Sequence, residues 1–460
     1  MKTYYFLIMM IFLGACSKNA NDPLVEKLSH SESILIKKVH IFNGRDREIM
    51  SPKDVLIQDG IIKSISDEIE ETPNQIVING AGQTLMPGMV DAHVHLSGSG
   101  AVPWENQKAD VIYNLQAYLY AGVTTVYDLG GLAGDISEFS DQIETGEILG
   151  PRVFNTHIPI TVKNAHPIPL TEIMLPWPLK SMVNTISPTI DHVSEAPKLI
   201  EKYTSKEIDY VKIICDQIPP GSPEMNFEQL QALVSASHKA GKKVFVHIGS
   251  PENAITAIKA GADVLAHGVW RGKLSEDQAS FIARSNVPII YTISGFKNVA
   301  HIHNGVFKPN ELDQKLVPQE VLVPVTLEKG KDVHQQKVMN NFFKDVSAHS
   351  GYWEQNFTLL YQKGARILVG TDSNLPGTYA GSTYYQELDE LKNFGMTNFE
   401  ILTGATYLNA QLFLEHPDFG FVGVDMQADL LLIDGNPLED LQLVKKPNLI
   451  IKRGEIIKRI

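Results

Sequence analysis

Cysteine is nearly absent, with only Cys16 and Cys215 in 460 residues. Two thiols cannot make a disulfide framework, so the fold must rest on its core and on what its polar side chains bind. Long apolar runs are missing as well. The one clear run, Tyr4 to Leu13, has ten residues, about half the roughly 20 that a membrane-spanning helix needs. Basic charge is in deficit: 40 Lys plus Arg stand against 53 Asp plus Glu, a net −13 without long blocks of either sign. A nucleic-acid partner needs a basic face, and this balance argues against one. What is present is ordinary for a folded chain, 43% apolar and 20% charged, which excludes a disordered, collagen-like or coiled-coil protein. The length suits two or three domains, or one large barrel with an accessory module.

Lys2 and the apolar run after it read as a signal-peptide core. The run ends in Leu13-Gly14-Ala15-Cys16, which resembles the lipobox of bacterial lipoproteins. The resemblance implies a signal peptide over residues 1–15, acylation of Cys16, and a lipid-anchored chain on the periplasmic or outer-membrane face of the cell envelope. A free cysteine behind an ordinary signal peptide is the alternative. Residues 16–32 are polar and read as a tether.

From Ser33 to Met86 the pattern is short and β-like, with Asn43-Gly44 and Asp59-Gly60 as turn pairs. Ala428 to Asp434, Leu449 to Ile451 and Ile456-Ile457 repeat the style near the C-terminus. Neither stretch is apolar enough to stand alone. The expectation is one composite β-sandwich from residues 33–88 and 409–460.

Between them lies βαβ repetition, the grammar of a parallel α/β fold. Strands are expected at Tyr210–Cys215, Val244–His247, Asp263–His267 and Val287–Ser294. Asn226 with Gln229 and Ser275 with Gln278 are capping boxes, and Pro251 opens a helix that Gly261 ends. Residues 89–408 exceed the roughly 250 of a plain (β/α)8 TIM barrel, leaving room for insertions. Pro159–Pro188, with six prolines, and Gly295–Lys331 break the repeat and are expected to be lid loops.

Asp91-Ala92-His93-Val94-His95 opens this region. Residues two apart on a strand share a face, so His93 and His95 can present two imidazoles to one point. His247 and His267 close later strands, and Asp372 closes Arg366–Gly370 as Gly-Thr-Asp-Ser. In a parallel barrel such strand ends converge on one face, where four histidines and an aspartate make a divalent-metal site suited to zinc, iron or manganese.

Pro87-Gly88-Met89-Val90-Asp91-Ala92-His93-Val94-His95, His247, Ala266-His267-Gly268 and Gly370-Thr371-Asp372 together resemble the amidohydrolase superfamily, in its imidazolonepropionase-like and prolidase-like branch. Ala121-Gly122-Val123-Thr124-Thr125 and Ala428-Asp429-Leu430 extend the likeness, which runs from about Ile34 to the C-terminus. The resemblance implies that Lys212, 35 residues before His247, is carboxylated and that its carbamate bridges two divalent ions, most simply Zn2+. His93, His95 and Asp372 would hold one ion, and His247 and His267 the other. A bridging hydroxide would attack the carbonyl of an amide, cyclic amide or dipeptide, with Asp372 moving the proton to the leaving nitrogen. An imidazolonepropionase-like enzyme with one metal and an ammonium at Lys212 is the enzymatic alternative. A non-catalytic metal-binding lipoprotein is the alternative of another class.

His166, in Asn164-Ala165-His166, falls where the branch has a loop histidine that touches substrate, and Arg271 on the loop after His267 can hold a carboxylate. Many relatives have histidine or tyrosine two residues past the strand-5 histidine, where this chain has Gly249. His301 and His303 repeat the paired spacing inside an expected lid and are read as lid residues. The oligomeric state is left open.

Overall fold

The computed structural model describes residues 23–28, 33–101, 109–131, 136–174, 179–318, 321–322, 333–373, 375–412 and 414–460. The expected signal peptide and Cys16 lie outside them.

Both chain ends enter one sheet. Its strands run in the order Val25–Lys27, Glu455–Arg459, Leu449–Lys452, Leu430–Asp434, Gln83–Pro87, Ser33–Ile41, Met50–Gln58 and Ile61–Ser66, with Ile76–Asn79 paired to Ser33–Ile41. Asp59 and Gly60 both take positive φ, 52° and 76°, as a two-residue hairpin turn of this twist requires. Strands from both chain ends join in one nine-stranded sheet. The reason lies in Ser33–Ile41. Its register slips around Val39, and Lys38 has φ 57°, so its first half pairs with Ile76–Asn79 and its second with Gln83–Pro87. The sheet thereby packs Ile34, Ile36, Val55 and Ile62 with Leu430, Leu432 and Ile451 in one core. Part of the expected tether also belongs to it, since Val25 is buried and pairs with Arg459.

The interior of the chain supplies eight parallel strands, numbered here β1 Met89–Val94, β2 Val123–Asp128, β3 Arg152–Asn155, β4 Val211–Cys215, β5 Val244–Ile248, β6 Val264–Ala266, β7 Ile289–Ile290 and β8 Ile367–Leu368. β1 to β3 pair in one arc and β4 to β8 in another. Both seams carry hydrogen bonds. Ile160 N donates to Lys212 O and Ile214 N to Ile160 O, each at 2.9 Å, and Ala92 N and Asp372 N reach Val369 O and His93 O at 3.2 and 2.8 Å. The mixed α/β chain thus combines a TIM-barrel-like domain with a sheet domain. Val90, Ala92, Tyr127, Tyr210, Phe245, Val264, Ala266, Ile290 and Leu368 fill the space between the strands, while alternate residues such as Val244, Val246 and Ile248 pack in the larger core with the helices.

The capping boxes at Asn226 and Ser275 are formed. Ser250 caps Pro251–Ala260, which ends on Gly261 at φ 96°. Two expectations are corrected. The strand Val287–Ser294 shrinks to Ile289–Ile290, and the helix Ile293–His303 occupies the start of the expected irregular stretch. Buried Glu387 accepts from Ile293 N and Ser294 N at 3.1 and 2.8 Å, satisfying two orphan donors of a helix start. Phe296, Val299, Ala300 and Ile302 then fall on its buried side. The proline-rich stretch holds the short helices Ile168–Met174, Leu179–Met182 and Val183–Ile186. Among the described residues, no helix is long and apolar enough to cross a membrane.

Candidate metal centre

β1 must change its alternation to deliver its histidines. Val90 and Ala92 face the interior cluster, whereas Val94 and Leu96 belong to the outer core. The ladder with β2 slips between Asp91 and Val94, and this bulge turns His93 and His95 inward together. Asp91 braces the turn from below: Oδ1 accepts from His93 N and Thr371 N at 3.1 Å each, and Oδ2 from Thr371 Oγ1 at 2.7 Å. Asp128, at the end of β2, similarly accepts from Leu96 N and Gly130 N at 2.8 and 2.7 Å.

Asp372 is the centre of the group. It has φ 56°, a left-handed conformation that aspartate adopts more readily than most residues. Its Oδ1 lies 3.1 Å from His93 Nε2 and 3.0 Å from His95 Nε2, and its Oδ2 lies 3.7 Å from His267 Nε2. His267 Nε2 is in turn 3.1 Å from His247 Nδ1, and the His93 and His267 rings stack at 4.6 Å. His95 Nδ1 bonds Gly130 O at 2.5 Å and His267 Nδ1 bonds Thr292 Oγ1 at 2.6 Å. These outer contacts leave the Nε2 atoms aimed at the carboxylate.

On His95 burial is outweighed by the facing Asp372 carboxylate, which raises that ring, but on the other imidazoles burial prevails. It takes His93 down to about 3, with Lys212 adding repulsion, and it lowers His247 and sends His267 well below its ordinary value. Neutral imidazole is the metal-binding form. Burial alone would raise Asp372, but the facing His267, His93 and His95 hold its carboxyl well below the usual range. Lys212 is 1% exposed, and burial depresses its ammonium to about 7, against the pull of Asp372.

The residues fit a divalent cation. One ligand atom each from His93, His95 and Asp372 lie within 4.8 Å of one another. Neither ring nitrogen of His93 has a hydrogen-bond partner, although Nε2 is 3.1 Å from a carboxylate oxygen. The buried Lys212 Nζ also has none, a costly state for an amine that nothing else engages. His247 and His267 extend the cluster beyond the triad.

His166 comes close, its ring 4.9 Å from that of His247 and its buried Nδ1 without a partner. Arg271 does not present a free guanidinium. Nη1 pairs with Asp216 Oδ1, Nε and Nη2 reach Asp345 Oδ2 at 3.0 and 2.9 Å, and Nη2 reaches Gln217 O at 2.8 Å. That corrects the sequence expectation of an arginine held ready for a substrate carboxylate. His301 and His303 sit in the last turn of Ile293–His303 and are not part of the triad. Trp270 is buried and stacks on Phe296 at 4.9 Å. Sequence reading passed over Asp216 and Asp345. Asp216 carried a usable signal, as it directly follows β4, where the other functional residues also stand at strand ends. Asp345, on the distant helix Val333–His349, carried none.

A carboxylate faced by several imidazoles at the C-terminal ends of parallel strands has the donor chemistry of a divalent-metal site. The chain belongs to the Amidohydrolase family, whose model matches residues 84–457, and it is an enzyme acting on carbon–nitrogen bonds. The ochratoxinase of Aspergillus niger is 22% identical over 478 residues, covering 95% of this chain and 89% of that one. The enamidase of Eubacterium barkeri is 26% identical over 234 residues, 48% of this chain and 52% of that one. A Xaa-Pro dipeptidase crystallised with methionine in its active site shares the fold, with a TM-score of 0.70 at 20% identity over 92% of this chain and 99% of that one.

Proposed function

We propose that the protein is a lipid-anchored, binuclear amidohydrolase of the bacterial cell envelope that cleaves an amide, a cyclic amide or a dipeptide. The observation that carries the two-metal reading is Lys212. Its Nζ is buried without a hydrogen-bond partner, on the strand beside His247 and within electrostatic reach of Asp372, His93 and His267. A carbamate there answers that isolation, because carboxylation turns a buried cation into an anionic oxygen donor among imidazoles. The depressed amine supports this, since the neutral form is the one that adds CO2, forming an N–C bond and releasing a proton. His93, His95 and Asp372 would hold one ion, His247 and His267 the second, and carboxylated Lys212 both. We read the parallel domain over residues 89–408 as a closed (β/α)8 barrel, which the bonded seams support, and the ions as zinc.

Bound metal would supply a water of lowered pKa and polarise the scissile carbonyl. The chain does the rest. Asp372 accepts the proton of the attacking water and returns it to the leaving nitrogen, a base and then an acid. His166, beside His247, faces the substrate.

The relatives' names direct the test towards Xaa-Pro dipeptides, other dipeptides, N-acyl amino acids and cyclic amides. Zinc-loaded full-length protein is expected to hydrolyse members of this panel, to lose turnover on chelation and to regain it with zinc. Turnover that survives complete metal removal, or none on any member with metal bound, contradicts the reading.

A further inference from the structure

Behind His247 stands a carboxylate that the hydrolysis above does not use. Asp216 follows β4 directly and its side chain is fully buried. Its two oxygens face different ways. Oδ2 lies 3.3 Å from His247 Nε2, and Oδ1 pairs with Arg271 Nη1. Arg271 is itself fixed on three sides, by Asp345, by Gln217 O and by the Trp270 ring, 4.3 Å from its guanidinium carbon. The opposite edge of His247 carries Nδ1, which faces His267 Nε2 at 3.1 Å.

Gly249 makes this arrangement possible. A Cβ at that position would stand 2.3 Å from Asp216 Oδ2 and 2.6 Å from its Cγ, so any side chain there displaces the carboxylate. The glycine and the aspartate are therefore a matched pair.

We propose that Asp216, locked by Arg271 and admitted by Gly249, is a positioning residue for the metal centre: it accepts the Nε2 proton of His247 and leaves Nδ1 unprotonated, its lone pair presented to a metal beside His267. The inference rests on the reading of His247 as a metal ligand. A carboxylate can only accept at this contact, which fixes the tautomer and the ring plane at once. Arg271 keeps the buried carboxylate paired, so its guanidinium serves the centre through Asp216 rather than meeting substrate.

The test compares zinc affinity, by competition with a chromophoric chelator, and the visible spectrum of the cobalt-substituted full-length protein. Wild type, Asp216→Asn and Gly249→Ala are measured, with circular dichroism and urea midpoints of the metal-free forms as folding controls. Both variants are expected to bind the more weakly held zinc roughly 10- to 100-fold less tightly, the usual effect of losing an outer partner of a ligand, and to alter the cobalt bands while staying folded. Gly249→Ala keeps every ion-pair residue, so it carries the test if Asp216→Asn does not fold. Folded variants with wild-type zinc affinity and cobalt bands overturn the inference alone. A folded wild type that binds no metal overturns both it and the functional reading.

Discussion

Asp372→Asn is expected to lower kcat by roughly 10²- to 10⁴-fold, the range that a positioned acid–base group supplies. The substitution preserves shape but removes the charge and the ability to take and return a proton. Asp372 is also the carboxylate that His93, His95 and His267 all face. Asp91 is close, but its oxygens are occupied by His93 N, Thr371 N and Thr371 Oγ1. Steady-state kinetics with metal content measured on the same preparations checks this. Turnover within a few-fold of wild type at full metal content would move the proton transfer to another group.

The second large effect is on stability. The buried His93 ring and Lys212 amine, whose nitrogens have no hydrogen-bond partner, are costly until something binds them. Zinc bound to the folded state alone is expected to stabilise it by about 4 kcal/mol when free zinc exceeds the dissociation constant roughly 1,000-fold. His93→Ala removes the most deeply buried ligand of the triad and should abolish most of that gain. Thermal melts with zinc and with chelator, for wild type and variant, measure it. An equal rise in Tm for both would place the zinc elsewhere.

Much of this site was legible because the chemistry sits at strand ends. His247, His267 and Asp372 each close an apolar run, and the repeated capping boxes and glycine stops between them set the βαβ rhythm. The shared spacing of His93 and His95 is legible in the sequence, while the bulge that turns them inward is not, because alternation within one strand does not reveal a slip against its neighbour. The helix Ile293–His303 was misread for a similar reason. Its start is capped by Glu387, more than 90 residues away, and the run before it is apolar enough to be strand. Arg271 was identified as a functional arginine, but its partners Asp216 and Asp345 come from other elements, and only the folded chain shows that it points at them. How the strands of the two chain ends connect is not legible in the sequence, since it turns on Ser33–Ile41, whose irregularity lets it pair with both Ile76–Asn79 and Gln83–Pro87.

The proposed two-metal centre depends on a carbamate at Lys212. It is tested most directly by metal analysis of protein purified with bicarbonate, comparing wild type with Lys212→Ala. About two metals per chain are expected in wild type, with a clear fall in the variant. One metal per chain, unchanged by the substitution, would contradict it and leave a mononuclear hydrolase in which Lys212 remains an amine.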